Sequence, residues 1–320
     1  MKIPFSPEQA STIAGSIDAI YLYIVAVTIF FTALIYGLVA VFAVQYRRKS
    51  PDEVPGAIHG HNGLEITWTV IPLIISMTMF IWGTVVFFHY ARPPKDAQEI
   101  FVVGKQWMWK IQHPSGKREI NELHVPINKP VRLKMTSEDV LHSFYIPAFR
   151  VKMDAIPGRY TSLWFEATRI GTYHLFCTEY CGTQHSGMIG KVHVLSQEDY
   201  QKWLETGSAA NTPVPVSGQE LFKTLNCATC HNSGSGALGP NLNGIYGKPV
   251  QLADGSTVTA DDKYIRRSIL KPADQVVAGY AALMPSYQGQ VNEEQIMQLI
   301  EYIKGLKETS APAPASATGV

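Results

Sequence analysis

An excess of either charge is missing from this chain: 27 lysines and arginines face 26 aspartates and glutamates, a formal net charge of +1 over 320 residues. A near-neutral chain gives no electrostatic case for nucleic-acid binding, so partners must be read from local features. Cysteine is scarce as well. There are four, at positions 177, 181, 227 and 230, and two spaced pairs are not the dense pattern of a disulfide scaffold. Charge is absent altogether from two long stretches near the N-terminus. AIYLYIVAVTIFFTALIYGLVAVFAVQY lies between Asp18 and Arg47, and ITWTVIPLIISMTMFIWGTVVFFHY runs from Ile66 to Tyr90. Each exceeds the roughly 20 apolar residues that a bilayer core requires, and Pro72 is tolerable within a membrane helix.

These runs predict a transmembrane hairpin, with helices over 17–45 and 65–90, a loop over 46–64 and a preceding segment 1–16. A cleaved signal peptide would have an apolar region of about 7–15 residues and a small-residue cleavage site. The first run is far longer and has no clear site of that kind, so it reads as a retained anchor. Arg47, Arg48 and Lys49 follow the first helix directly, whereas the N-terminal segment carries only Lys2. The loop is therefore expected on the cytoplasmic side. Arg92, Lys95 and Lys105 beyond the second helix weaken that count.

Past the second helix the composition turns soluble. EIFVVGKQWMWKIQ, ELHVP, PVRLKMTS, YTSLWFEA, GTYHLF and GKVHVL are short β-favouring runs separated by turn signals such as HPSGKR. Many short strands predict a β-sandwich or barrel over 91–206, ending in the helical EDYQKWLE. TGSAANTPVPVSG has a linker's composition, assigned to 207–216, and ETSAPAPASATGV reads as a disordered tail over 309–320. Between them, 217–308 begins with SGQELFKTLNCATCH and closes with NEEQIMQLIEYIKGLK. Gly218 and Phe222 share one helical face, Ile296, Leu299, Ile300 and Ile303 form an apolar stripe, and the two terminal helices are expected to pack together.

CATCH at Cys227–His231 is a c-type haem attachment pattern: two thiols can add to the haem vinyl groups while the adjacent imidazole reaches the iron. His231 is the only histidine after His193, so a second axial imidazole from this domain is impossible. Met284, in LMPSY, is the natural sixth ligand, since Met297 sits among apolar positions of the last helix, where methionine fills core space. Zinc would want four protein ligands, and Cys227, Cys230 and His231 are too adjacent to close a tetrahedron alone. With the loop GPNLNGIYG, residues 217–308 resemble a small class I cytochrome c. Covalent haem is assembled on the outer side of energy-transducing membranes, which places both chain ends outside.

The second pair of thiols lies in CTEYCGTQHSGM, where Cys177, Cys181, His185 and Met188 fall within twelve residues, and His142 precedes them in SEDVLHSFYIP. A blue-copper site uses two histidines, one cysteine and a weak axial methionine; the additional cysteine allows two coppers to be bridged. Zinc would have no use for the methionine.

The motifs CxxxCxxxHxxM and DVLHSFxIPxxxxKxDAIPGR, with the two-helix anchor, make residues 17–205 similar to subunit II of haem-copper cytochrome c oxidase. That resemblance implies a multidomain chain: a two-helix transmembrane hairpin, an all-β cupredoxin-like domain carrying the binuclear CuA centre, and an all-α cytochrome c domain. It implies that His142, Cys177, Cys181, His185, Met188 and the carbonyl of Glu179 bind two coppers, with the Glu179 carboxylate touching a magnesium ion at the boundary with subunit I. Trp107 in GKQWMW aligns with the aromatic residue through which electrons reach the copper, and Glu65 in LEITWTVIP with the carboxylate at the mouth of a proton-uptake path. The implied partners are the bilayer, subunits I and III, and an external donor, either a cytochrome bc complex or a small cytochrome or copper protein.

The implied location is the bacterial inner membrane, with both redox domains on the periplasmic side. Oxygen reduction coupled to proton pumping belongs to the complex, because no histidine cluster in these membrane helices could hold an oxygen-reducing centre. Ordinary subunits II end after the copper domain; here the electron donor is fused, which replaces a bimolecular encounter by an intramolecular one. Rival readings are the electron-transfer subunit of a nitric or nitrous oxide reductase, and a stand-alone membrane-tethered carrier. The histidines at 59, 61, 89, 113, 124, 174 and 193 form no cluster readable from sequence.

Overall fold

The computed structural model describes residues 6–54, 56, 60–206, 218–232 and 237–306. The assigned linker and tail lie outside the described residues. Two long apolar helices, α1 (Ala14–Gln45) and α2 (Asn62–Tyr90), each start three residues earlier than the helices expected over 17–45 and 65–90. The extra turn of α2 follows from its cap, since the His61 imidazole accepts a hydrogen bond from the Leu64 N–H at 3.1 Å. The helices pack side by side where Tyr23 meets Trp82, ring centroids 5.6 Å apart, and the Tyr23 hydroxyl lies 2.6 Å from Thr78 Oγ1. Their remaining surface is apolar and exposed, as a lipid-facing hairpin requires.

Ten strands follow: β1 (Gln98–Lys105), β2 (Met108–Gln112), β3 (Arg118–Ile120), β4 (Glu122–Pro126), β5 (Pro130–Ser137), β6 (His142–Ile146), β7 (Val151–Ala155), β8 (Thr161–Glu166), β9 (Gly171–Cys177) and β10 (Ile189–Leu195). They form two five-stranded sheets, ordered β3-β2-β1-β5-β8 and β4-β10-β9-β6-β7. The pairs β1–β5 and β4–β10 are parallel and the rest antiparallel. Ile100, Val102, Trp109, Leu133, Phe144, Leu175 and Val192 meet between the sheets as one core. This is the cupredoxin-like sandwich.

Both membrane helices are stapled to this sandwich. The Asp18 carboxylate, at the base of α1, accepts hydrogen bonds from Arg150 Nε at 2.8 Å and Nη2 at 3.0 Å, and from Gln9 at 2.7 Å. At the end of α2 the Tyr90 carbonyl accepts the Trp164 indole N–H at 2.8 Å. Segment 1–16 contributes to the sandwich, because Ala10 and Ile13 are buried in its core and Ser11 bridges Ala167.

After α3 (Gln197–Thr206) the last domain contains α4 (Gly218–Thr224), α5 (Cys227–Cys230), the strand pair β11 (Pro249–Gln251) and β12 (Thr257–Thr259), α6 (Asp262–Leu270) and α7 (Glu293–Gly305). The small β-hairpin is an addition to the otherwise helical domain. The first and last helices cross as their patterns predict. Gly218 sits so tightly on α7 that a Cβ there would lie 2.1 Å from the Gln298 carbonyl oxygen, and Phe222 packs on Tyr302 with ring centroids 5.3 Å apart.

Candidate metal and haem sites

His142 opens β6, Cys177 closes β9 on the neighbouring strand, and the 178–188 loop returns Cys181, His185 and Met188 to the same end of the sheet. The loop is fixed by its own backbone: Thr178 N–H donates to the Ser143 carbonyl at 3.0 Å, and Cys177 N–H to the Met188 carbonyl at 3.2 Å. Cys177 Sγ lies 3.8 Å from Cys181 Sγ and 4.0 Å from His142 Nδ1. Cys181 Sγ lies 3.4 Å from His185 Nδ1 and 3.9 Å from Met188 Sδ. The Glu179 carbonyl, 3.3 Å from Cys177 Sγ, points at the same place. Both thiols are free in this structure. Donors about 2.0–2.3 Å from a shared tetrahedral ion stand about 3.3–3.8 Å apart, so side chains 3.4–4.0 Å apart fit thiophilic metal with only small adjustments.

Surrounding groups aim these donors. His142 is wholly buried, edge-on to Trp109, and its Nε2 is 2.8 Å from Asp139 Oδ1, which leaves Nδ1 facing the thiols. Gly104 lies against the imidazole, where a Cβ would come within 2.9 Å of His142 Cδ2. Burial pushes the Cys177 thiol up, but the hydrogen bond with His142 and backbone contacts at Glu179 and Ser143 outweigh it and hold the group at about 6. Burial and then the adjacent Cys177 push Cys181 up to about 12. Trp107 is half-buried against this loop, its indole N–H donating to the Cys181 carbonyl at 3.2 Å beside the Gln106 amide at 2.8 Å.

Cys227, Cys230, His231 and Met284 line one apolar cleft, walled also by Leu242, Tyr264, Ile269 and Tyr287. His231 Nδ1 sits 2.8 Å from the Pro240 carbonyl, an arrangement in which Nδ1 carries the proton and Nε2 is left as the ligand atom. Gly239 permits it, since a Cβ there would fall 2.9 Å from His231 Cε1. Thiols, an imidazole with a free Nε2 and a thioether on an apolar cleft fit a covalently attached haem.

Glu65 lies in the first turn of α2, about 38 Å along the helix from Tyr90 at 1.5 Å per residue, and remote from both clusters. Three histidines unassigned by sequence do converge. His113 Nε2 is 2.7 Å from Glu119 Oε1, His124 Nδ1 pairs with the other oxygen, and His124 is stacked between His193 and Trp203 with centroids 4.4 Å from each. Burial raises the Glu119 carboxyl, but the two imidazoles outweigh it and hold it below the usual range. The cluster fastens α3 to the sheet edge. Only the cross-strand pairing of His124 with His193 reveals it.

Residues 3–83 match the family model of the cytochrome c oxidase subunit II transmembrane domain, 118–194 that of its periplasmic domain, and 214–303 that of the cbb3-type cytochrome c oxidase subunit III. Cytochrome c oxidase subunit 2 of Alkalihalophilus pseudofirmus is 30% identical over 289 residues, covering 86% of this chain and 82% of that one. That of Cereibacter sphaeroides is 32% identical over 244 residues, covering 63% and 78%. The crystal structure of the periplasmic domain of Bradyrhizobium japonicum cytochrome oxidase subunit II is 36% identical, covers 36% of this chain and 96% of that one, and aligns with a TM-score of 0.35. The order of anchor, sandwich and haem-type domain, and relatives matched over most of their length, lead to one conclusion: the chain belongs to the cytochrome c oxidase subunit II family, as a member with a fused cytochrome c domain.

Proposed function

We propose that this chain is a two-stage electron relay of the oxidase, and the observation that carries the reading is the convergence of His142, Cys177, Glu179, Cys181, His185 and Met188 within donor spacing of one another. When bound, haem c and a binuclear copper pair supply one-electron transfer from an external donor toward subunit I, where oxygen is reduced. Cys227 and Cys230 would attach the haem, His231 and Met284 would ligate its iron, and Cys177 and Cys181, with His142, His185, Met188 and the Glu179 carbonyl, would hold the copper pair. Trp107, hydrogen-bonded to the Cys181 carbonyl, is the electron inlet on the copper side.

The Glu179 carboxylate is free to meet magnesium at the subunit I boundary, because its carbonyl rather than its side chain turns toward the thiols. Glu65 stands at the mouth of a proton path, at the end of α2 opposite the sandwich. Both termini and both redox domains lie on the periplasmic side. The Asp18–Arg150 and Trp164–Tyr90 staples support this by tying both helices to the sandwich at one end, with Arg47–Lys49 at the other. Subunit III completes the set of partners, and the donor is a cytochrome bc complex or a small soluble redox protein.

Cys181→Ser tests the relay. The donor should still reduce the haem at the wild-type rate while oxygen consumption by the complex falls at least a hundredfold. Full turnover in a copper-depleted Cys181→Ser complex would refute the copper stage.

A further inference from the structure

The outer face of β1, β2 and β5 is covered by the cytochrome domain, and the contact is built like an interface. Met297 of α7 is buried against Phe101 and Val103 with Tyr160 beside it, forming an apolar centre. Ions ring that centre. Glu294 lies 3.4 Å from both Lys110 and Arg118, Lys134 pairs with Asp262, and Lys304 lies 3.9 Å from Glu99. The sheet side contributes mostly cations, Lys110, Arg118 and Lys134; the helices contribute mostly anions, Asp262, Glu294 and Glu301. Lys134 belongs to the outer face of β5 yet is nearly inaccessible, because the seated cytochrome domain both covers its ammonium and supplies Asp262 as the counter-charge.

The haem cleft is built from other surfaces of the same helices. On α6, Asp262 and Arg266 face the sheet, while Tyr264, Ile265, Ser268 and Ile269 line the cleft. On α7, Glu294, Met297, Glu301 and Lys304 face the sheet, while Ile303 lines the cleft. None of these sheet-facing residues lines the cleft. Seated in this way, the domain interposes α6 and α7, each about 10 Å across, between the haem cleft and the copper domain. Leu238 and Leu283, at the cleft mouth, are 55% and 60% exposed. Tunnelling falls off exponentially with distance, so the observed seat suits receiving an electron from outside better than delivering one inward.

We propose that the outer face of β1, β2 and β5 is a resting seat for the cytochrome domain, which holds the haem cleft outward for loading and is left when the domain turns that cleft to the Trp107 side of the copper site. This rests on the relay reading above. One electron then passes from reduced haem iron to the oxidised copper pair, with no bond made or broken. Ionic pairs and one methionine plug form the kind of polar, modest contact across which linked domains move, and salt at 1 M shortens the screening length to about 3 Å and loosens it.

Carbodiimide treatment of the intact oxidase complex tests this, because it joins a lysine to a carboxylate only where the two already pair. Peptide mass analysis should find Lys110–Glu294 and Lys304–Glu99 amides at low salt, several-fold fewer at 1 M salt, and neither in Met297→Asp. The cross-linked complex should accept electrons from the donor into its haem at the untreated rate, yet pass them to copper at least tenfold more slowly; E99Q/D262N/E294Q/E301Q, which lacks every lysine–carboxylate pair across the seat, should lose no transfer when treated identically. Transfer at the untreated rate in the cross-linked complex, or no cross-link at low salt, would overturn the resting seat. Failure of haem to reduce copper in the untreated complex would instead overturn the relay itself.

Discussion

Gly104→Ala should disturb the copper site without touching a ligand. A Cβ at this position falls 2.9 Å from His142 Cδ2, 3.2 Å from His142 Cγ and 3.3 Å from Trp109 Cζ3. Comfortable carbon–carbon contact is about 3.5–4.0 Å, so the imidazole or the strand must give by about 0.6 Å or more. Neither has room. His142 is wholly buried between Trp109 and its hydrogen bond to Asp139, and β1 is paired to β2 and β5 along its length. A shift of that size exceeds the roughly 0.5 Å within which a functional site must be held. Overpacking of this kind costs about 1–3 kcal/mol, or roughly 4 °C in melting temperature for each kcal/mol in a domain this size. The assay is the paramagnetic resonance spectrum and copper content of the complex, with Gly187→Ala as control. Gly187 lies between His185 and Met188, yet a Cβ there meets nothing within 4 Å. The expected result is an altered copper spectrum in Gly104→Ala and an unaltered one in Gly187→Ala. A wild-type spectrum and transfer rate in Gly104→Ala would refute the argument that this strand sets the imidazole.

Three further outcomes follow from other parts of the molecule. Met284→Leu should lower the haem reduction potential in a redox titration and leave the copper spectrum intact, because only the haem cleft contains this residue; copper loss would show that the ligand is misassigned. Glu119→Gln should destabilise the sandwich by about 1–3 kcal/mol. The Glu119 carboxyl is held below its unfolded value, so its contribution is complete above the unfolded pKa and lost as pH falls through the folded one; thermal unfolding should show wild type and variant converging as pH falls below the ordinary carboxylate range. Gly218→Ala, with its Cβ 2.1 Å from the Gln298 carbonyl oxygen, should force α4 off α7 and lower the melting temperature of the cytochrome domain by several degrees; an unchanged melting curve would count against the close crossing.

The membrane hairpin was legible because two uncharged runs each exceed the length a bilayer core requires, and both metal-type clusters because most of their donors, Met284 and His142 excepted, are nearly contiguous in sequence. His142 was legible as the histidine preceding the cysteine cluster, although pairing of β6 with β9 is what brings it to Cys177. β3, β6 and β7 escaped the reading of strands. β3 is three residues long, and the residues of β6 and β7 alternate too weakly to announce themselves beside a ligand motif. EIFVVG hinted at more than it disclosed: a run buried at five successive positions in β1 signals cover on both faces, here the sandwich core on one and Met297 on the other. Met297 was expected in a core, and it is buried, but against the copper domain rather than within its own. The ion ring could not be read at all, because its partners lie on strands and helices more than a hundred residues apart.

The central claim is that one loop and one strand end hold a copper pair, fed by a haem on the same chain. Metal and haem analysis of the purified complex, combined with paramagnetic resonance, tests it most directly. In the metal bound by this subunit the account predicts two coppers for each covalent haem and one unpaired electron shared over both coppers. Zinc at this site, or a single copper with the electron confined to it, would contradict it.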